Sequence, residues 1–482
     1  MTTTRTVASN TLVQILGKIL TVGLSLALLA ILGRLLGVEG LGQYTTVVTF
    51  MGMIAVLADF GFFFILVREL SLPDARPQEA VANVIGLRTV LAVLVYGLGL
   101  AIGWQLDYPA PVLAGLGIIA IGQFALTFQN TFIAVLQAKL QMGRAVIADV
   151  IGRGLVVGLA AWIAAGGGGL AEVFWAVTAG YLVTSLVAFF LTNALVPIRI
   201  AADLGYWRYL VAEALPLGIN SVLQFVYFKV DTILLSLLKS SVEVGIYGVP
   251  FRILEVLIAL PGFFINSIFP ILTKLYGQED PKWRIVFQQS FDLLTLLTFP
   301  MVVGGMLLAE PLVAIAGPEF VHVATLTLGG VAITPVLILQ VLMVGVGLSY
   351  LSFIFNALIL AAGKQRWLVA PNVGYAVFNI GLNLLLIPRL SYLAAAAITV
   401  ATEALILTVS ILLASRLITF PVRLQTIPKS LAASAVMAGL LWALPGANLW
   451  LEVPVAILVY GVLVYRLGAV DPETIRALLR RT

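Results

Sequence analysis

The sequence of 482 residues contains no cysteine, one histidine and few charged side chains. Without cysteine there is no disulfide framework, no thiol nucleophile and no iron–sulfur site. One histidine, His322, cannot build a zinc site of several His ligands, so we expect no bound metal. Only 10% of the residues are charged, against roughly a quarter in soluble domains. These absences exclude a soluble enzyme, a disordered chain and a nucleic-acid-binding domain.

The apolar content of the chain indicates a protein dissolved mostly in lipid. Hydrophobic residues make up 61% of the sequence and the mean hydropathy is +1.10. The apolar runs are continuous, as in 21–32 and 45–57, whereas barrel strands would alternate over about ten residues. We therefore predict an all-α, polytopic membrane protein with about fourteen transmembrane helices. The predicted spans are 10–35, 44–68, 82–104, 110–136, 146–166, 171–196, 213–238, 246–273, 286–309, 331–361, 367–388, 391–417, 430–445 and 449–466.

The basic residues set the predicted orientation. With the N-terminus in the cytoplasm, most of the 27 Lys and Arg residues lie on the cytoplasmic side, and Arg34, Lys239 and Arg389 lie outside. The first apolar stretch exceeds the roughly 7–15 residues of a signal-peptide core, so we expect an uncleaved span. We predict a multi-pass protein of the cell (inner or plasma) membrane with both termini cytoplasmic. Its partners then include the lipid bilayer and no nucleic acid.

A short motif near residue 38 recurs about 200 residues later and predicts an internal repeat. Val-Glu-x-x-Gly-x-Tyr at 38–44 matches 242–247 with one gap, and coincidence among glycine-rich turns is the alternative. Six spans separate the copies, so the repeats share one orientation. We predict two six-helix lobes plus two C-terminal helices. The predicted domains are 1–197 (spans 1 to 6), 198–212 (a cytoplasmic interfacial linker), 213–418 (spans 7 to 12), 419–466 (spans 13 and 14) and 467–482 (a cytoplasmic basic tail).

The nucleotide-binding motifs are missing from the sequence. No Gly-x4-Gly-Lys-[Ser/Thr] occurs, and no Gly-x-Gly-x-x-Gly follows a strand pattern. We expect no cofactor and no enzymatic activity, because the outer loops are also too short for a sugar polymerase or ligase. Transport would then be driven by the membrane potential or by a coupled H+ or Na+.

Charged residues inside the spans are the candidate site residues, because each costs about 2.5–3.5 kcal/mol at the bilayer centre on insertion scales. Asp149 and Arg153 are spaced i,i+4 and can neutralise each other along one helix. Arg252 and Glu255 are spaced i,i+3 and can do the same. We interpret the first pair as structural, and the second stays open to a functional role.

Lys229 and Asp231 are two residues apart and point to opposite sides of a helix, so they cannot pair with each other. Contacts Lys229–Glu255 or Asp231–Arg252 follow if spans 7 and 8 are neighbours. The short connection between the two spans favours that arrangement.

Two cations have no acid partner nearby in the sequence. Lys18 and Arg88 lie about two turns from the cytoplasmic surface and are candidates for an anion site, with snorkelling to the headgroups as the alternative. Asp59, Asp231 and Glu255 are candidates for a titrating or ion-binding group, with structural ion pairing as the alternative.

Polar uncharged residues also recur inside the spans. The candidate polar wall of a sugar-binding cavity consists of Gln123, Asn379, Asn383 and Glu403. Hydrogen bonding between helices is the alternative role of these residues.

Several stretches together resemble one known family, the polysaccharide biosynthesis, O-antigen-type flippases of the multidrug/oligosaccharidyl-lipid/polysaccharide (MOP) exporter superfamily. The stretches that carry the resemblance are 31–44, 135–142, 229–235, 244–255, 317–320, 379–388, 394–397 and 402–403. These stretches cover spans 1 to 12. Their order and spacing indicate the family more specifically than any single stretch does.

The resemblance implies two lobes around a cavity that opens to one side at a time. It implies translocation of a lipid-linked (polyprenyl pyrophosphate) oligosaccharide from the inner to the outer leaflet, with a polysaccharide polymerase or assembly protein as a candidate partner. The cavity cations that would meet the phosphates are Lys18, Arg88, Lys229 and Arg252, and Arg252 with Glu255 is the implied functional pair. A cation-coupled small-molecule or multidrug exporter of the same superfamily is the alternative, which these four cations disfavour.

Overall fold

A computed structural model of the chain describes residues 2–72, 76–443 and 449–469. Within these residues eleven helical stretches are long and apolar enough to cross a membrane, which confirms the all-α, polytopic membrane fold. A hairpin of two-residue strands, β1 (Thr327–Leu328) and β2 (Val331–Ala332), lies at the predicted start of span 10. The helices are α1 (Thr2–Asp59), α2 (Phe62–Ser71), α3 (Pro77–Gln105), α4 (Ala110–Ala138), α5 (Met142–Ala165), α6 (Leu170–Asn193), α7 (Leu204–Leu238), α8 (Ser241–Gly277), α9 (Lys282–Leu307), α10 (Ala309–Val313), α11 (Glu319–His322), α12 (Pro335–Ala361), α13 (Val369–Ala414), α14 (Thr426–Ala443) and α15 (Leu449–Arg466).

Two of these helices each contain two predicted spans. In α1 the bend is at Gly37, with φ 64° and ψ −171°, a conformation that glycine adopts without a steric penalty. In α13 the bend is at Ser391, with φ 48°, three residues after Pro388. The predicted second span is also broken, at Gly61, so that its last part is the separate helix α2. Over the described residues, most of each remaining predicted span lies on one helix.

The chain divides into two compact units. The first unit comprises Met1–Gly248 with Ile315–Gly317, and the second comprises Val249–Ala314 with Pro318–Thr482. Residues 198–203, the start of the predicted linker, are not helical, and 204–212 are the first turns of α7. The tail residues 470–482 lie outside the described part of the chain.

In the first unit, the end of the second predicted span packs into a buried cluster. Phe62, Ile65 and Leu66 on α2 belong to one buried hydrophobic cluster with Val84 on α3 and Phe132 on α4. Such burial contributes about 1.5–3 kcal/mol per large apolar side chain. The cluster thereby fixes the end of α1, which carries Asp59, against α3 and α4.

The two copies of the repeated motif contact each other in the first unit. A Cβ on Gly42 would overlap the Ser241 carbonyl, and a Cβ on Gly245 would overlap the Val38 carbonyl. The motif alignment pairs these same two glycines. Their missing side chains allow the backbones of α1 and α8 to touch, as small residues do between membrane helices.

In the second unit, α12 packs against α9 and α13, and α14 packs on α9. An aromatic cluster of Phe287, Phe291 and Phe355 joins α9 to α12. Asp292 on α9 accepts a 2.5 Å hydrogen bond from Thr426 at the start of α14. This bond fixes the first of the two C-terminal spans to the rest of the unit.

Candidate functional site

A cavity of about 470 Å³ in the first unit is the strongest candidate site. Its walls come from the end of the second span on α1, from the middle of α4 and from α7. A volume of this size falls within the roughly 300–1,000 Å³ of small-ligand sites. The lining residues are Ala55, Val56, Asp59, Asn130, Ser221, Gln224, Phe225, Tyr227 and Phe228.

The α7 wall follows from helical spacing. Ser221, Gln224, Phe225 and Phe228 lie at positions i, i+3, i+4 and i+7, which share one helix face. This face was not predicted from the sequence, because its residues are uncharged and the candidate residues on α7 were the ionic ones. The signal that would have found it is the two polar residues among aromatic ones at this spacing.

The Asp59 carboxylate is the charged group of the cavity, and Arg88 holds it in place. Arg88 Nη2 donates a 2.5 Å hydrogen bond to Asp59 Oδ1, and Asn130 Nδ2 donates to the same oxygen at 3.1 Å. The Arg88 side chain has no exposure, whereas that of Asp59 is 23% exposed. The carboxylate therefore faces the cavity and the guanidinium lies behind it.

Arg88 is bound by the protein on its other side as well. Its Nη1 donates to the Thr127 carbonyl and to Thr131 Oγ1, both at 2.8 Å on α4. Arg88 is therefore buried and paired with Asp59 in this structure, and it neither faces a cavity nor extends to the headgroups; its predicted role in phosphate binding stays a prediction. Its acid partner, Asp59, is 29 residues away in the sequence, and helix packing brings them together.

The other three predicted cations have different surroundings. Lys18 is exposed on α1, and Lys229 is half-buried with its Nζ 6.0 Å from the centroid of the Phe228 ring. Arg252, 43% exposed, forms the expected pair with Glu255 at 3.0 Å. The predicted contacts Lys229–Glu255 and Asp231–Arg252 would join the two units and stay predictions.

Asp231 is buried at the α7–α8 connection of the first unit. One carboxylate oxygen accepts from the Thr232 backbone N–H at 2.6 Å, and the other accepts from the Tyr247 hydroxyl. Tyr247 belongs to the second copy of the repeated motif. The Asp231 side chain therefore connects α7 to the start of α8.

The predicted polar wall consists of buried residues. In the second unit, Asn379 donates to Thr402 at 3.1 Å, and Asn383 donates to Asn379 Oδ1 at 2.8 Å. The Asn379–Thr402 bond joins the two halves of α13 across the bend at Ser391, which is a polar contact between helical segments, whereas the Asn383–Asn379 bond lies within the first half. Glu403 beside Thr402 is buried, and so is Gln123 on α4 of the first unit.

A second cavity of about 500 Å³ lies at the α7–α8 turn of the first unit. Tyr108 and Ser236 line it and share a 2.9 Å hydrogen bond. Burial raises the pKa of the Tyr108 phenol, and this bond opposes the rise. In the described part of the chain, no three Asp, Glu or His side chains are arranged to hold a metal ion.

The multi-span fold, with a cavity that has polar and apolar walls in its first unit, is that of a membrane transporter. Residues 7–276 match the model of the polysaccharide biosynthesis protein family, and residues 216–385 match the MatE family. Because the first match covers more than half of the chain, the protein belongs to the polysaccharide biosynthesis protein family, within the MOP superfamily.

One curated relative is the probable flippase AglR of Haloferax volcanii, 29% identical over 216 residues. The match covers 44% of this chain and 42% of that protein, so the chain spans less than half the length of the relative.

Solved structures share the fold over most of the chain. The lipid II flippase MurJ in an inward closed conformation has a TM-score of 0.73 at 13% identity, covering 95% of this chain and 98% of its own. An inward-facing multidrug MATE transporter has a TM-score of 0.64 at 16% identity, and the match covers 89% of this chain and 96% of that transporter. A MOP transporter from Pyrococcus furiosus has a TM-score of 0.56 at 16% identity, and the match covers 85% of this chain and 95% of that transporter.

Proposed function

We propose that this protein is a secondary-type flippase that moves a lipid-linked oligosaccharide from the inner to the outer leaflet of the plasma membrane. The observation that carries the proposal is the family match over residues 7–276. The curated relative named as a probable flippase supports it. A polyprenyl pyrophosphate carrier and a role in cell-surface polysaccharide biosynthesis are part of the proposal.

The physical reason for such a protein is the cost of moving a sugar headgroup through hydrocarbon. Each unpaired hydroxyl or amide costs several kcal/mol in an apolar medium, so a polar cavity must replace the lost water. The cavity at Asp59, Asn130 and Gln224 supplies such groups inside an apolar bundle. Alternating access would expose the headgroup to one side at a time, while the lipid tail stays in the bilayer.

The drive is the membrane potential or a coupled H+ or Na+. A charge that crosses the full field gains about 2.3 kcal/mol per 100 mV. Lys18, Lys229 and Arg252 are the proposed phosphate-binding cations, and Asp231 and Glu255 are the proposed coupling groups.

Translocation is tested in cells deleted for the gene. Lipid-linked glycans are quantified in right-side-out and inverted vesicles by their accessibility to a glycan-oxidising reagent. Accumulation on the inner leaflet that is reversed by the wild-type gene is the expected result. Unchanged glycolipids in the deletion strain would contradict the proposal.

The MatE match over residues 216–385 favours a second candidate, a cation-coupled small-molecule exporter. In that case the deletion strain would become sensitive to cationic drugs while its lipid-linked glycans stay unchanged. The same strain therefore separates the two functions.

A further inference from the structure

The chemistry of the first-unit cavity selects among the parts of a lipid-linked glycan. Among the described residues that line it, only Asp59 has a formal charge, and the buried Arg88 balances this charge from behind. A pyrophosphate would meet a carboxylate there, and like charges at short range repel. An organic cation would meet a carboxylate that already has a partner. The cavity therefore favours an uncharged group.

Its hydrogen-bonding capacity suits hydroxyl groups. In the part of the chain that the structure describes, Asp59 Oδ2, Asn130 Oδ1 and the Gln224 amide make no hydrogen bond to the protein. Two of these groups accept, and the Gln224 amide both accepts and donates. A sugar ring carries several hydroxyls that donate and accept at such distances.

Three of the other residues that line the cavity are aromatic. Phe225, Tyr227 and Phe228 line the cavity beside the polar groups. An aromatic ring offers a flat apolar face, and a sugar ring has apolar C–H faces as well as polar edges. Few polar groups placed on an apolar wall are the usual composition of a small-molecule site.

We infer that this cavity is a subsite for an uncharged sugar ring of the glycan, with Asp59, Asn130 and Gln224 as its hydrogen-bonding residues and the α7 aromatic residues as its apolar wall. The inference rests on the proposed function, because it assigns the cavity to one part of the same substrate. The inference assigns sugar recognition to this cavity, whereas the proposed pyrophosphate-binding cations are other side chains of the protein.

The test uses the absence of cysteine from the chain, so that one introduced thiol is the only one. Ser221→Cys places the thiol in the cavity wall, and Ser71→Cys is the matched control at the exposed last residue of α2. Both serines donate to the carbonyl four residues earlier, Leu217 at 3.0 Å and Val67 at 2.7 Å. Each variant is reconstituted in lipid nanodiscs, and the rate of maleimide labelling is measured.

The probes are glucose, N-acetylglucosamine and rhamnose, with inorganic pyrophosphate and tetraphenylphosphonium as charged comparators. We expect at least one sugar to slow labelling of Ser221→Cys threefold or more, with Ser71→Cys unaffected. Adding Gln224→Leu should abolish the protection, and it removes no hydrogen bond to the described part of the protein. No protection by any sugar, or equal protection by pyrophosphate or the cation, would overturn the subsite.

The two proposals fail separately. If a sugar protects Ser221→Cys but the deletion strain shows no defect in translocation, the subsite is supported and the flippase function is contradicted. Translocation without sugar protection would leave the function and remove the subsite.

Discussion

The Arg88 guanidinium donates a 2.5 Å hydrogen bond to Asp59, and the arginine is fully buried while the carboxylate is partly exposed. The pair therefore has one end in the protein interior and one end at the cavity. Removing the acid leaves a buried charge without its counterion, and breaking such a pair costs about 3–5 kcal/mol. A change at the cavity-facing carboxylate should therefore also lower the stability of the first unit.

Asp59→Ala should lower the thermal unfolding temperature of the detergent-purified protein strongly, because Arg88 is left unpaired. Asp149→Ala is the matched control, since it breaks the partly exposed pair with Arg153, where such pairs are worth about 0.3–0.5 kcal/mol. Adding Arg88→Met to Asp59→Ala should recover part of the loss. Equal shifts for Asp59→Ala and Asp149→Ala would contradict the buried pair.

Gly42→Ala and Gly245→Ala should each destabilise the protein, because the new methyl group meets backbone atoms that cannot move aside. Overpacking of this kind costs about 1–3 kcal/mol. Gly23→Ala is the control, since nothing lies within 4 Å of its Cβ position and alanine is the better helix former. Thermal unfolding of the three variants gives the comparison, and a neutral Gly42→Ala would argue against the contact.

Arg252→Ala should reduce glycan translocation at least tenfold with little change in unfolding temperature. The side chain is 43% exposed, and its pair with Glu255 on the same helix contributes only about 0.3–0.5 kcal/mol. Arg153→Ala, which breaks a pair of similar exposure, should keep full translocation. Loss of the Arg252→Ala protein from the membrane would instead indicate a structural role.

The predicted orientation is tested with two exposed positions in the second unit, His322 and Ser415. A membrane-impermeant maleimide should label His322→Cys in intact cells, because the loop after span 9 is predicted to lie outside. Ser415→Cys should react only after permeabilisation. The reverse pattern would invert the topology and place both termini outside.

The sequence predicted the spans well because an apolar run of about 20 residues commits the backbone to a helix. It did not predict that α1 passes from the first span to the second with Gly37 as the bend. That outcome depends on the φ and ψ of one residue, which hydropathy does not report. The separate helix α2 arises in the same way, from the positive φ of Gly61.

For the site, the rule that charges inside spans are informative found Asp59 and Arg88 but assigned them separate roles. Their pairing depends on the packing of α1 against α3, which no spacing rule contains. The same limit applies to Ser221 and Gln224, whose spacing predicts a shared face but not the cavity that the face lines.

The bend at Gly37 also has a practical consequence for protein engineering. With one non-helical residue between two spans, an inserted epitope or fluorescent domain would have to break helical turns on both sides. The glycine segment 166–169, between Ala165 and Leu170, is not helical, and three of its four residues are exposed. Insertions should therefore be tolerated there and rejected at Gly37, so a reporter for tracking this protein belongs between α5 and α6.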